Sequence, residues 1–405
     1  MRAAEVAARG KGGNITSTYV PTWENWDVSM VNLTSSSCVS YAQKVPMHGY
    51  DLLFHLLDDH GRTRHHSGMR FPESDTLTAA FAMRAGLPRR LFGVAELERI
   101  QAVADLDEKL TISDFRQADP RVLAAIDVLI TGWDCPWIGA AELAAMPRLR
   151  AVVHAAGTVR DHLGPDVWAR GITVTTAADA NAVPVAEYTL AAILLAGKGV
   201  PELARGYAAD PGCAAADRPD IGNYRRTVGI LGASRVGRRV IDLLGPFDFT
   251  VLLHDPYVAG DDPVRARATT VSLDELLRRS SVVSVHAPLL AETTGLVGDR
   301  QFDLMSPGSV LINTARGAIV DQDALVRAVR AKGVRAVLDV TVPEPLPAGH
   351  PLRGLPGVIL TPHVAGSLGN ELHRLGESAV SELELLAAGR PPRSPVRWES
   401  RATMA

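Results

Sequence analysis

The chain is poor in the features that mark several common protein classes. It has three cysteines, Cys38, Cys135 and Cys213, far apart and with no CxxC or Cys/His spacing. That excludes a disulfide framework and a cysteine-built zinc site, and it fits reduced thiols in a cytoplasmic protein. No sign of charge dominates: 42 Lys+Arg against 45 Asp+Glu leave a formal net charge of -3 and a pI near 6.5. Nucleic acid is therefore offered no basic face. No apolar run approaches a membrane span, and residues 1–10 lack the apolar core of a signal peptide. Neither a membrane partner nor export is expected.

Hydrophobic residues at 46% and charged ones at 21% describe a globular chain, long enough for two domains. Residues 1–74 stand apart as a poorly structured N-terminal extension. Only 50–57 shows a short amphipathic period, and Thr34-Ser35-Ser36-Ser37 reads as loose chain. His55, His60, His65 and His66 gather there without carboxylates or cysteines to organise them. A solvated tail is the simpler reading and a metal site the alternative; no metal is expected. Asn14-Ile15-Thr16 and Asn32-Leu33-Thr34 match the glycosylation sequon, which matters only in a secreted chain. Met69, just ahead of the first convincing strand, is an alternative start.

From residue 77 strands and helices alternate. Strands are expected at 77–83, 128–131, 149–154 and 172–175, a helix at 94–104, and a long apolar helix at 183–195 that ends by Gly197. A polar passage, 205–223, follows. Alternation of this kind implies an α/β fold with parallel sheets and ligands at the strands' carboxyl ends. Thr227-Val228-Gly229-Ile230-Leu231-Gly232-Ala233-Ser234-Arg235-Val236-Gly237 reads as a strand breaking into a glycine turn that opens a helix. A pyrophosphate suits such a helix start, whose first amides lack partners. Ser234 stands where the dinucleotide fingerprint has its middle glycine, so a plain strand-to-helix turn is the competing reading. The next strand, 250–254, ends in Asp255, where a ribose-binding carboxylate belongs. With Pro256 and Tyr257 after it and no cation, Asp255 would repel a 2′-phosphate and favour NAD over NADP.

The second half continues the pattern. Ser272-Leu273-Asp274-Glu275 is a capping box, strands are expected at 282–286 and 310–313, and Asp321 and Gly333 bound a helix. Arg316, just past a strand end, could hold a carboxylate through two parallel bonds or make a surface salt bridge. The strands 336–340 and 358–361 would deliver Asp339 and His363 to one sheet edge, with Glu344 in the proline-stiffened segment between them. A Glu beside a His makes a proton donor near neutral pH; the alternative is a loop carboxylate and a turn residue.

Taken in order, Gly232 to Gly237, Asp255, His286-Ala287-Pro288-Leu289, Asn313-Thr314-Ala315-Arg316-Gly317, Leu338-Asp339-Val340, Glu344-Pro345-Leu346 and Pro362-His363 closely resemble the NAD-dependent D-isomer-specific 2-hydroxyacid dehydrogenases. The resemblance covers roughly 77–390. It implies two Rossmann-like domains: a discontinuous substrate-binding domain, 75–178 plus 367–398, and an inserted NAD-binding domain, 179–366, with 399–405 left as a tail. It further implies Arg316 as the substrate-carboxylate ligand, His363 as acid/base and Glu344 as its partner. Cofactor contacts would come from Gly232, Ser234, Arg235, Val236, Gly237, Asp255, Pro288, Thr314, Ala315, Asp339 and Gly366. Asp339 would hold the nicotinamide carboxamide.

The substrate loops depart from the family. In Ala156-Gly157-Thr158-Val159-Arg160-Asp161, Val159 replaces the usual second glycine and Arg160 a usually apolar residue. Backbone amides of Gly157, Thr158 and Val159 could still hold a carboxylate, and Arg160 either a second anion or only solvent. The loop Gly132-Trp133-Asp134-Cys135-Pro136-Trp137 brings Trp133 toward substrate and no Lys or Arg, so the expectation is a modest, non-phosphorylated 2-oxo acid. Two functions follow from the resemblance: an oxidoreductase interconverting a 2-oxo acid and a D-2-hydroxy acid, or an NAD(H)-sensing protein like the family's corepressors. A homodimer is the family expectation.

Overall fold

The computed structural model describes residues 76–210 and 221–400. The amphipathic stretch, histidine cluster, sequons and Met69 of the N-terminal segment, Cys38, Cys213 and residues 401–405 lie outside the described residues.

Two parallel sheets carry the fold. The first joins β1 (Leu77–Ala82), β2 (Ala104–Ile112), β3 (Val128–Thr131), β4 (Ala151–His154) and β5 (Thr173–Thr176) in the order β2-β1-β3-β4-β5. The second joins β6 (Thr227–Leu231), β7 (Thr250–His254), β8 (Thr269–Thr270), β9 (Val282–Val285), β10 (Val310–Asn313), β11 (Arg335–Leu338) and β12 (Val358–Leu360) in the order β12-β11-β10-β9-β6-β7-β8. Central strands such as Val128–Thr131 and Val282–Val285 are buried at every residue, because apolar clusters cover both faces of each sheet. The connections reverse direction between β1 and β3 in one sheet and between β6 and β9 in the other. Such reversals open a crevice at the strands' carboxyl ends, the place where open α/β sheets take ligands.

Most expected elements are present, with four corrections. The edge strand β2 went unread because Asp105, Asp107, Glu108 and Lys109 give it a polar, solvent-facing pattern; the helix expected over 94–104 ends at Gln101. The polar passage at 205–223 begins inside a helix, Val200–Ala209, whose residues all keep some exposure. The long helix runs Ala178–Gly197 and starts five residues before the expected position. Pro184 lies inside this helix, and Ala182, Pro184, Val185 and Ala186 are all buried, so packing holds the helix through its proline. By length and composition this helix could cross a membrane, contrary to the sequence-based expectation. Its buried residues pack against the second sheet, and a helix surrounded by protein is as apolar as one surrounded by lipid.

The chain returns to the first sheet at its end. Helix Leu372–Ala387 adds Leu375 and Leu383, both fully buried, to the core around β1 and β4. Each such side chain contributes about 2 kcal/mol relative to an exposed one. Glu382, 3% exposed, then accepts from the amides of Arg393 and Ser394, and Val396 N–H donates to Val174 O beside β5. The first sheet is thereby packed by the end of the described chain, with the second sheet between them in sequence.

Candidate active site

Strands β11 and β12 pair in register, Leu338 against Leu360, so Asp339 and Thr361 leave the sheet side by side. Asp339, 2% exposed, accepts from Thr361 Oγ1 (2.6 Å), Val364 N–H (2.8 Å) and Ala365 N–H (2.9 Å). These bonds fold the segment after β12 around His363, whose φ of 55° lies in the left-handed region. A side chain there costs on the order of 1–3 kcal/mol, which the Asp339 bonds offset. The turn displays the imidazole with Nδ1 2.8 Å from Glu344 Oε1. An ionised carboxylate only accepts, so Nδ1 carries the proton and Nε2 is left for a substrate. Asp339 therefore serves first as the organiser of the histidine turn; with about four acceptor positions on a carboxylate, one remains beside the three donors.

Arg316 follows β10 on a segment aimed by Asn313, whose side chain accepts from Ala315 N–H (3.0 Å) and donates to Arg316 O (2.9 Å). Burial pulls the guanidinium's pKa below its ordinary value; nearby Asp161 and Glu344 oppose that shift and Arg160 reinforces it. Arg316 donates to Ala315 O (2.7 Å) and makes no ion pair among the described residues. A half-buried cation without a counterion is a receptor for an anion.

A second anion-binding feature sits after β4. Thr176, 3% exposed at the end of β5, donates to Ala156 O (2.8 Å) and is also within reach of Gly157 O (3.0 Å). Ala177 N–H also donates to Ala156 O (3.1 Å), and the amides of Gly157, Thr158 and Val159 have no acceptor among the described residues. The Val159 side chain, fully buried in the core, explains how valine replaces a glycine here: it points away from the amide run. Exposed Arg160 donates to Leu289 O (3.3 Å) beyond β9, and so bridges the segments following the two sheets. A cavity of about 450 Å³ adjoins His363; Trp133, Asn181, Gly366 and Ser367 line it with Leu368 and Leu372.

The residues expected at a dinucleotide gather at the other crevice. Gly232, with φ of 101°, passes so close to the segment after β9 that an added Cβ would lie 2.5 Å from Ala287 N. Gly237 lies against Gly232 O, where a side chain has no room. Ser234 takes an ordinary φ of -65°, needs no glycine, and caps the helix Arg235–Leu244 by accepting from Gly237 N–H (3.3 Å). The amides of Ser234, Arg235 and Val236 donate to nothing among the described residues, so the positive helix end presents three donors to an anion. The Arg235 guanidinium pairs with Asp179 (3.0 Å). Asp255 accepts from Ala233 N–H (2.7 Å) and Tyr257 N–H (2.8 Å), which pins the glycine loop to the end of β7. Pro288 and its neighbours are held by Thr293, which donates to Pro288 O (2.6 Å); buried Thr314 meets Thr189 of the long helix (3.1 Å). Ala315 is buried beneath Arg316, and Gly366 faces the cavity beside Asn181. These donors and the two tight glycines match what a pyrophosphate and ribose require.

Several contributors went unread in sequence. Arg84 and Arg90 line the cavity, although the 132–137 loop itself carries no cation. Arg84 lies just past β1 and could have been found by the strand-end rule that picks out Arg316. Thr176 ends β5 and obeys the same rule. Arg90, Asn181 and Ser367 have no sequence signal, since only folding brings them to the site.

Parallel sheets with crevices at both switch points, one bearing a dinucleotide cradle and the other a cavity beside a His–Glu pair, define a two-sheet nucleotide-dependent α/β protein. Residues 190–365 match the family described as D-isomer specific 2-hydroxyacid dehydrogenase, NAD binding domain. Glyoxylate reductase of Thermofilum pendens is 32% identical over 272 residues, 65% of this chain and 79% of that protein. D-3-phosphoglycerate dehydrogenase of Archaeoglobus fulgidus is 34% identical over 244 residues, 57% of this chain and 44% of that protein. The solved TT0316 protein from Thermus thermophilus is 30% identical with a TM-score of 0.62, covering 79% of this chain and 100% of that one. The chain belongs to the D-isomer specific 2-hydroxyacid dehydrogenase family and carries its NAD-binding domain. It spans about half the length of the phosphoglycerate dehydrogenases that it matches.

Proposed function

We propose that the protein is an NAD-dependent oxidoreductase that reversibly reduces a 2-oxo acid to a D-2-hydroxy acid. The observation that carries this reading is the His363–Glu344 pair, 2.8 Å apart beside the cavity, near a half-buried Arg316 that makes no ion pair among the described residues. In it, residues 75–178 with 367–398 bind substrate and 179–366 bind the cofactor. Relatives named as a glyoxylate reductase and a phosphoglycerate dehydrogenase support the reaction class.

The amides of Ser234, Arg235 and Val236 hold the pyrophosphate, Asp255 the adenosine ribose, and the remaining acceptor position of Asp339 the nicotinamide carboxamide. NADH supplies the hydride when bound. Arg316 and the amides of Gly157, Thr158 and Val159 grip the substrate carboxylate, and Arg316 also polarises the oxo group. Doubly protonated His363 donates its Nε2 proton to complete the hydroxyl and is left neutral, while Glu344 accepts from Nδ1–H and stabilises the imidazolium that starts the reduction and is re-formed in the oxidation. Trp133 and Leu372 keep water from the reacting carbon. A homodimer in the cytoplasm belongs to the same reading, and light scattering of the purified chain checks the dimer.

The test is loss of NADH absorbance with glyoxylate, pyruvate, hydroxypyruvate, phosphohydroxypyruvate, 2-oxoglutarate, and branched and aromatic oxo acids, repeated with NADPH. Turnover that prefers NADH supports the proposal. Tight NADH binding with no turnover of any acid overturns it in favour of the cofactor sensor.

A further inference from the structure

The cavity beside His363 has a far wall with a chemistry of its own. Arg84 reaches it from the segment after β1, and its backbone N–H donates to Trp133 O (2.9 Å), so the segments after β1 and β3 are joined at the switch point of the first sheet. Arg90 reaches it from the short helix Pro88–Leu91, and its guanidinium has no hydrogen-bond or ion-pair partner among the described residues. Ser367 also lines it; this residue is 3% exposed, and its hydroxyl has no hydrogen-bond partner among the described residues. No carboxylate is among the lining residues. The acid at hand is Asp134, which meets Arg84 at 3.4 Å with both side chains mostly exposed, a contact worth roughly 0–1 kcal/mol. The wall thus keeps net positive charge and a buried hydroxyl in need of a partner.

A substrate held by its carboxylate at Arg316, with its oxo group at His363, has its remaining carbons free to extend into this cavity. An apolar tail would leave Ser367 unpaired and the Arg90 guanidinium without an anion, with Arg84 held only by its exposed contact with Asp134. A charged tail satisfies both. Resting on the dehydrogenase reading above, we infer that Arg84, Arg90 and Ser367 form a second anion subsite that selects 2-oxo acids bearing another anionic group beyond the oxo carbon. Carboxylate, sulfonate and phosphate share the required chemistry. The inference replaces the uncharged far end expected from the 132–137 loop, because the cations come from a different strand connection. It also separates this subsite from Arg160, whose guanidinium is bonded to Leu289 O.

The experiment compares kcat/KM for oxaloacetate, 3-sulfopyruvate and phosphohydroxypyruvate with kcat/KM for pyruvate and hydroxypyruvate. It uses the wild type, Arg84→Gln/Arg90→Gln, Arg90→Lys and Arg89→Gln. The wild type is expected to prefer at least one dianion by tenfold or more, and the preferred member shows whether a carboxylate, sulfonate or phosphate fits. The double variant should lower that ratio at least tenfold, while Arg90→Lys retains most of it. Arg89→Gln removes a neighbouring cation that does not line this cavity, and it should leave the ratio in place. A wild-type ratio near or below one, or a ratio unchanged in the double variant, overturns the subsite. Calorimetry on the NADH-loaded chain with succinate and butyrate separates this failure from failure of the reaction itself. Tighter binding of succinate that is lost in the double variant upholds the subsite even if no acid turns over, whereas equal binding overturns it.

Discussion

Two runs of three unpartnered amides lie at the edges of the two sheets, Ser234 to Val236 and Gly157 to Val159, and they are built differently. The first is the start of a helix ten residues long, where the amides are free because a helix has no earlier carbonyls to receive them. Its shape depends on Gly232 and Gly237, since backbone crosses backbone at both. The second is an irregular loop whose amides have no acceptor among the described residues, with Ala156 O held by the Thr176 hydroxyl (2.8 Å) and by Ala177 N–H (3.1 Å). It tolerates Val159, whose side chain goes into the core. Equal anion-binding chemistry can thus rest on missing side chains in one place and on bonds from a distant strand end in another.

The sharpest test of that division is His363→Ala. Turnover should fall by about 10²–10⁴, the usual share of a general acid, while NADH affinity changes little, because the imidazole serves the substrate side. Single-turnover kinetics beside a fluorescence titration of NADH would check it, and unchanged turnover removes His363 from the mechanism. Gly232→Val attacks the other side. With φ of 101° and an added Cβ 2.5 Å from Ala287 N, the loop must move, and NADH affinity should drop by roughly two orders of magnitude. Retained affinity would show that the cradle does not need its close approach.

Buried histidines link the two regions through pH. His154, at the end of β4, has its pKa lowered to about 3 by burial and by nearby His162; burial alone lowers His286, after β9, to about 3. Their side chains meet Thr131 Oγ1 (2.9 Å) and Ser284 Oγ (2.8 Å). A histidine that ionises near 6.5 when unfolded and near 3 when folded binds protons preferentially in the unfolded state between those values. Its contribution is complete above pH 6.5 and declines as pH falls toward 3. At pH 5 each should have lost about 2 kcal/mol, read as a lower urea midpoint than at about pH 7.5. A midpoint independent of pH between about 5 and 7 would contradict their neutral burial. The smallest effect is expected from Thr176→Val, which frees the carbonyls behind the substrate loop and should raise KM about tenfold without altering NADH affinity. A matching loss on the cofactor side would show that the two cradles are not independent.

The legible parts of the chain follow this contrast. The glycine turn, Asp255 and the strands ending in Asn313, Leu338 and Leu360 were readable because consecutive residues do the work: a strand end fixes where its next side chain emerges. His363 and Glu344 were readable for the same reason, each lying within a few residues of a strand end or between two of them. The edge strand β2 escaped because solvent on its outer side lets charged residues occupy it, which breaks the apolar run that marks a buried strand. The start of the long helix was misplaced because Asp179 and Asn181 interrupt the apolar run in its first turn.

Sequence by itself determined the parallel α/β class, the cofactor edge and the candidate proton donor, since those depend on local periodicity and on residues that follow a strand directly. Tertiary structure alone decided that Thr176 holds the carbonyls behind the run Gly157 to Val159, that Asp339 is a turn organiser, and that Arg84, Arg90 and Ser367 share one cavity wall. These side chains come from segments 283 residues apart, from Arg84 to Ser367. Only the packing of the returning C-terminal helix against β1 and β4 brings them within reach of the same small molecule.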